Sequence, residues 1–305
     1  MSLLIVGSVA LDSVKTPYGE VKRALGGSAV YAGIAASPFS KPRIVGVVGE
    51  DFPPEYIKLM KKKKFGLEGL KIVPRGKTFH WKGSYKGNMA HAETLDTRLN
   101  VFEFFKPDLP EKCQNSQYVF LANIDPELQL YVLEQIRKPR LVICDTMNFW
   151  ITGKRKALEK VFSKSHVILV NEGEALMLTN APNLVEAAHR LLQFGPSYVI
   201  VKKGEHGAFI LNKKDYFSLP AFPLRSLKDP TGAGDSFAGG FLGYLAGQNR
   251  ITACNIRRAM AVGTVMASFV CEDFSVKKTA SLTKRQISER IKKFHNMASL
   301  PRIRL

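Results

Sequence analysis

Cysteine is scarce in this chain: four in 305 residues (Cys113, Cys144, Cys254 and Cys271), far apart and in no CxxC or zinc-ligand spacing. A disulfide framework and a structural zinc site are therefore excluded, and reduced thiols in a cytoplasmic setting are expected. No apolar run is long enough to span a bilayer. The N-terminal MSLLIVGSVALDS lacks a basic leader and reads as a buried first strand rather than a signal peptide. There is no low-complexity tract, internal repeat or linker-like boundary, so residues 1–305 are expected to form one domain. The pattern GxxxxGK[ST] is missing, which excludes a P-loop enzyme. Acidic residues are outnumbered, 26 against 45 basic, for a net charge of +19. Much of the excess lies in the KKKK run at 61–64 and from Arg250 onward, where 12 Lys/Arg face 3 Asp/Glu. These positions fall on helix-like segments with few aromatics and no nucleic-acid motif. They read as a solvated basic surface that attracts anionic substrates, with no nucleic-acid or membrane partner expected.

What the chain does have is an alternation of short apolar, β-branched runs with helical periodicity. Residues 3–9, 43–49, 118–123, 140–145, 166–171 and 198–204 read as strands, and most are continuous rather than alternating, as in a parallel sheet buried on both faces. Helices are expected at 53–64, 126–137, 154–162, 172–178 and 184–194, then at 233–247, 252–270 and 283–296. The βαβα order predicts an α/β three-layer sandwich around a mostly parallel sheet. One region departs from this rhythm: residues 76–105 alternate polar and aromatic residues without a crossover helix. With 12–24 they predict a small antiparallel β lid inserted in the α/β core, the kind of element that closes over a substrate.

In a parallel sheet, ligands bind beyond the C-terminal strand ends. Asp12, the Gly26-Gly27 pair, Asn123, Asp145, Asn148, Asn171 and Glu174 all fall at such ends, where each alone would be an ordinary turn or cap residue. The stretch DPTGAGDSFAGGFL (229–242) is more specific. If Gly232-Ala233-Gly234 opens a helix, its bare N–H groups form an anion hole for a phosphoryl group. Asp235 in the first turn is then placed to take a proton from an attacking hydroxyl, with the helix end expected to keep its pKa low.

DPTGAGDSFAGGFL resembles the C-terminal signature of the ribokinase-like carbohydrate kinases, the phosphofructokinase B family. Other landmarks follow in family order: GG at 26–27, VGVVGEDF at 45–52, NEGE at 171–174 and KKGEHG at 202–207. The resemblance covers essentially the whole chain. It implies ATP- and Mg²⁺-dependent phosphoryl transfer to a hydroxymethyl group of a monosaccharide or, as the alternative, a nucleoside. A non-catalytic ligand- or nucleic-acid-binding homologue is a third reading, which the intact Asp235, Gly232, Gly234 and Glu174 oppose. By the same resemblance Asp235 is the base and Gly232, Ala233 and Gly234 the anion hole. Asp12, Gly26 and Gly27 grip the acceptor, joined by Asn123 and Asn148. Asn171 and Glu174 hold the Mg²⁺–phosphate assembly through water, and Lys203, Gly204 and Gly207 line the nucleotide. Asp229 and Thr231 match positions that in some members bind a monovalent cation such as potassium. Family lids also pair between subunits, which makes a homodimer an expectation. Two departures fall on the acceptor side: Tyr31 replaces an Asn usual after the glycine pair, and CDTMNFW lacks an Arg often found there. Tyr31 and Trp150, with the lid residues Phe79, Trp81 and Tyr85, are large enough to stack on a sugar or base, or to pack in core and lid.

Overall fold

The computed structural model describes residues 2–299. The first half holds β1 (Ser2–Val6), β2 (Ala10–Thr16), β3 (Gly19–Gly26), α1 (Ser28–Ala36), β4 (Lys41–Gly49), α2 (Pro54–Lys62), β5 (Gly66–Val73), β6 (Phe79–Tyr85) and β7 (Ala92–Arg98). Next come α3 (Glu111–Gln114), β8 (Tyr118–Leu121), α4 (Pro126–Gln135), β9 (Leu141–Asp145), α5 (Asn148–Gly153), α6 (Arg155–Lys164), β10 (Val167–Asn171), α7 (Glu172–Thr179), α8 (Leu184–Leu192) and β11 (Tyr198–Lys202). The hairpin β12 (Ala208–Leu211) and β13 (Tyr216–Leu219) precedes α9 (Ala233–Gln248), α10 (Ala253–Val270), α11 (Lys277–Ser281) and α12 (Lys284–Ala298).

Nine strands form the large sheet in the order β13-β12-β11-β10-β9-β8-β1-β4-β5. All neighbours from β5 to β11 are parallel, and β12 and β13 add an antiparallel edge. Side chains of successive strand residues point to opposite faces, so the continuous apolar runs feed two cores. Leu3 and Ile5 of β1 join one cluster with α1, α9 and α10, whereas Leu4 and Val6 join the other with α6, α7 and α8. Each fully buried aliphatic side chain contributes about 1.5–3 kcal/mol relative to exposure, which makes this two-sided packing the main force holding the sheet. The expected three-layer sandwich is thus present.

The smaller sheet has the order β3-β2-β6-β7. It is antiparallel within each hairpin, β2–β3 and β6–β7, and the hairpins join through the parallel pair β2–β6. The expected first strand at 3–9 ends at Val6, where Gly7–Val9 redirect the chain from the large sheet into β2. Three strands and the short helices α3, α5 and α11 were not expected. The edge strand β5 is largely exposed and carries charges, which hides it among surface loops. The β12–β13 hairpin consists of strands four residues long, near the lower limit for any periodic signal.

Candidate functional site

The C-terminal ends of β9, β10 and β11 present Asp145, Asn171 and Lys202. Register places Asn171 beside Lys202. Asp145 is held from below by Gln129, whose buried amide donates to the carbonyls of Leu121, Ala122 and Asp145 at 3.0–3.3 Å, tying the ends of β8 and β9 together. Lys202 Nζ lies 3.1 Å from Asp145 Oδ1, with the two side chains only 18% and 6% exposed. Asn171 and Glu174 form a reciprocal cap at the start of α7: the Asn171 side chain accepts from the Glu174 N–H, and Glu174 Oε2 accepts from the Asn171 N–H at 2.7 Å.

Helix α9 faces these strand ends with its N-terminus. Gly232 precedes it at φ 76°, ψ 9°, a left-handed conformation that L residues other than Gly rarely adopt, and no side chain caps the helix. A Cβ on Gly232 would also sit 2.3 Å from the Tyr31 ring. The Thr231 N–H donates to Asp229 Oδ1 at 2.9 Å, which anchors the turn before the helix. Asp229 is 1% exposed, and its Oδ2 has no hydrogen-bond partner among the described residues. Thr231 Oγ1 meets the Tyr85 hydroxyl at 3.2 Å and so links the turn to the smaller sheet.

From that sheet, β2 delivers Asp12, which is buried. Its carboxylate accepts from the Gly27 N–H and lies 3.5 Å from the Tyr31 hydroxyl. A Cβ on Gly26 would fall 1.9 Å from Asp12 Oδ2, so only glycine admits this carboxylate. The first N–H groups of α1 are already used, Ser28 N donating to Ser8 Oγ and Ala29 N to Ser8 O, both at 3.0 Å. The Gly26-Gly27 pair therefore seats Asp12, and the start of α1 is not a free anion site.

Carboxylates crowd around one ammonium. Burial, with Asp145 and Asp12 nearby, raises the Asp235 pKa to about 7 against the pull of Lys202. The expectation that the helix end keeps it low is corrected: desolvation and like charge outweigh the dipole. Burial and Asp145 likewise raise Glu174 to about 7, again opposed by Lys202. Asp12 reaches about 7 through burial and Asp229, despite its bonds to Gly27 and Tyr31. Burial works against the Lys202 ammonium, but Asp145, Glu174 and Asp235 more than offset it, and its pKa is raised.

Asp12, Gly26, Gly27, Glu174, Asp229, Thr231, Gly232, Ala233, Gly234 and Asp235 thus gather at one end of the sheet. Lys203, Gly204 and Gly207 lie alongside in the turn from β11 to β12. Asn123 is turned to a different partner, its Oδ1 accepting from Trp150 Nε1 at 3.0 Å, and Asn148 is exposed at the start of α5. Of the aromatics, Tyr31 is buried between Asp12 and Gly232, and Phe79 stacks on Phe102 with ring centroids 5.3 Å apart. Trp81 folds over Gly83 and donates to Thr94 Oγ1. Phe79 and Trp81 are half-buried and already have these partners within the smaller sheet and its neighbourhood. Beyond β9, Phe149 is 64% exposed and packs edge-on against Trp150. Lys202 escaped the sequence reading; its signal was a charged residue closing an otherwise apolar strand, YVIVK.

The arrangement of the two sheets and their helices is shared with solved kinases of the ribokinase fold. The nucleoside kinase of Methanocaldococcus jannaschii superposes with a TM-score of 0.77 at 20% identity, covering 96% of this chain and 98% of that one. A putative ribokinase II from E. coli, solved with ATP and Mg²⁺, gives 0.79 at 16% identity over 96% of this chain and 99% of that one. The profile of the pfkB family carbohydrate kinases matches residues 3–280. The cytidine kinase of Thermococcus kodakarensis is 30% identical over 258 residues, 81% of this chain and 90% of that protein. The chain belongs to the pfkB family of carbohydrate kinases. Among the described residues no helix is long and apolar enough to cross a membrane.

Proposed function

We propose that this protein is an ATP-dependent kinase that phosphorylates the hydroxymethyl group of a nucleoside. The observation that carries the reaction is Asp235 in the first turn of α9, a helix start that no side chain caps; the Ala233 N–H donates to the Pro230 carbonyl at 3.1 Å, which leaves the Gly232 and Gly234 amides on either side of it for an anion. Similarity to a cytidine kinase supports a nucleoside as acceptor. A free monosaccharide, the acceptor favoured on sequence alone, is the second reading, supported by the family as a whole.

In this mechanism Asp12, seated by Gly26 and Gly27, binds acceptor hydroxyls, and neither Asn123, engaged by Trp150, nor the exposed Asn148 is needed for it. The smaller sheet serves as the lid and joins the helix turn through Tyr85 and Thr231. The turn of Lys203, Gly204 and Gly207 lines the nucleotide. Asp235 takes the hydroxyl proton as the acceptor oxygen bonds to the γ-phosphorus and the bond to the β–γ bridging oxygen breaks, releasing ADP. The α9 amides hold the phosphoryl oxygens throughout.

Among the described residues no three His, Cys, Asp or Glu side chains converge as a chelating set. Magnesium fits here as an ion held mainly by phosphate and water. With Oε2 bound to the Asn171 N–H, Glu174 Oε1 is the atom that would accept from a metal-held water. When bound, the ion neutralises charge on the β- and γ-phosphates. A monovalent cation fits beside Asp229, whose buried Oδ2 lacks a partner, with Thr231 adjoining. Turnover should rise when potassium replaces tetramethylammonium; equal rates would remove the cation from this account.

The test is ADP release with Mg·ATP across nucleosides, pentoses, hexoses and inositols, alongside Asp235→Asn. Turnover with nucleosides and a loss of about 100- to 10,000-fold in the variant is expected. Near-native turnover by Asp235→Asn would end the proposed mechanism, and turnover confined to free sugars would select the second acceptor.

A further inference from the structure

We infer that Lys202 is a catalytic residue of the proposed transfer, its ammonium donating to the phosphoryl oxygens at the N-terminus of α9. The inference rests on the kinase reading above and deepens it. Two features of geometry carry it. Lys202 Nζ lies 3.1 Å from where a Cβ of Gly234 would stand, so the missing side chain leaves the ammonium directly beside the helix amides. It is also held there, at the end of a rigid parallel strand, by Asp145 at 3.1 Å.

The charge balance supplies the reason. Asp12, Asp145, Glu174 and Asp229 surround this region with Asp235 and are all buried, and Lys202 is a cation that acts on three of these carboxyls, Asp145, Glu174 and Asp235. A γ-phosphate adds further negative charge to the same space. Helix amides carry only about half an elementary charge between them, too little to balance such an anion alone. A full positive charge in a site with little water acts on the phosphoryl group far more strongly than one on the surface. The ammonium stays protonated through the step: Asp235 takes the acceptor proton, and Lys202 only redistributes hydrogen bonds from Asp145 to phosphoryl oxygen.

The competing account is that Lys202 does nothing more than neutralise buried Asp145. Binding of ADP and of a non-hydrolysable ATP analogue, each with Mg²⁺, separates the two, measured by calorimetry on the wild type and Lys202→Met. We expect Lys202→Met to lose at least about tenfold of the preference for the triphosphate, and kcat to fall about 100-fold. Lys202→Arg should recover part of both. Removing one partner of a buried pair strands the other charge, so the double variant Asp145→Asn/Lys202→Met is measured as well. It removes both charges and should lose the same preference. Wild-type triphosphate preference in either correctly folded Met variant would overturn the inference. If the wild type phosphorylates no acceptor at all, the kinase reading fails separately, while the analogue-to-ADP ratio still decides whether Lys202 meets the terminal phosphate.

Discussion

Asp235 stands between opposing influences. The α9 N-terminus and Lys202 favour its ionised form, whereas burial and the charges of Asp145 and Asp12 disfavour it and prevail. Raised to about 7, the carboxyl is a better proton acceptor than an ordinary aspartate, though a smaller fraction of it is ionised at neutral pH. A base must be deprotonated to act, so kcat/KM should climb with pH through the region around 7 and level off above it. A limb near pH 4 would mean that Asp235 titrates as an exposed aspartate and that its neighbours do not shape it. Asp12 and Glu174 reach about the same value, so the limb belongs to the coupled group as a whole. Replacing Lys202 by Met removes the favourable charge and should move the limb to higher pH.

The position of Asp235 depends in turn on how closely α9 lies against α1. Gly239 and Gly243, one turn apart, face Ala32 and Ala36: a Cβ on Gly239 would come within 2.0 Å of the Ala32 carbonyl oxygen, and one on Gly243 within 2.7 Å of Ala36 Cα. Backbone on the opposing helix cannot yield as a flexible side chain can. Gly239→Ala should therefore cost about 1–3 kcal/mol and tilt the α9 N-terminus away from β11. The thermal midpoint should drop, and kcat measured well below it should drop too; an unchanged midpoint would show that the helices are not in such contact. Much of this was readable in the sequence because GAGDSFAGGFLGYLAG joins a bare helix start to a stripe of small residues, two features of one helix. The parallel strands were readable because burial on both faces leaves unbroken apolar runs such as VILV. Lys202 was not, since two successive lysines look alike until strand register sends one of them toward Asp145. Nor was the packing of the smaller sheet: Phe79 and Trp81 were legible as large aromatics, but the bulge between Lys82 and Gly83 and the stack on Phe102 are tertiary facts.

At the scale of the whole molecule, the site places a cost on stability that varies with pH. Asp12, Glu174 and Asp235 have ordinary values of 3.8, 4.5 and 3.8 and rise to about 7 in the fold. Between those limits the folded chain binds more protons than the unfolded one, so stability present at acid pH is lost as pH rises toward and through 7. Other groups act in the opposite sense. Asp51 and Asp273 are lowered, and their contribution is already complete above the ordinary carboxylate range. Burial holds His80 and His166 below 6.5, so they favour folding increasingly with pH until the unfolded-state imidazole is neutral, about a unit above that value. In the window from pH 6.5 to 8 the three site carboxyls therefore outweigh the two histidines. The thermal midpoint of the free protein should fall across it, over the same interval in which catalysis is expected to rise. Asp235→Asn cannot ionise; its midpoint should exceed that of the wild type at pH 8, and its fall with pH should be shallower. A wild-type midpoint that is flat or rising from 6.5 to 8 would refute the raised carboxyls, and an unaltered slope in Asp235→Asn would exclude Asp235 from them. Should both expectations hold, the protein gives up stability at the pH where it works in order to keep unpaired carboxylate at the start of α9, a trade that a purely structural aspartate would have no reason to impose.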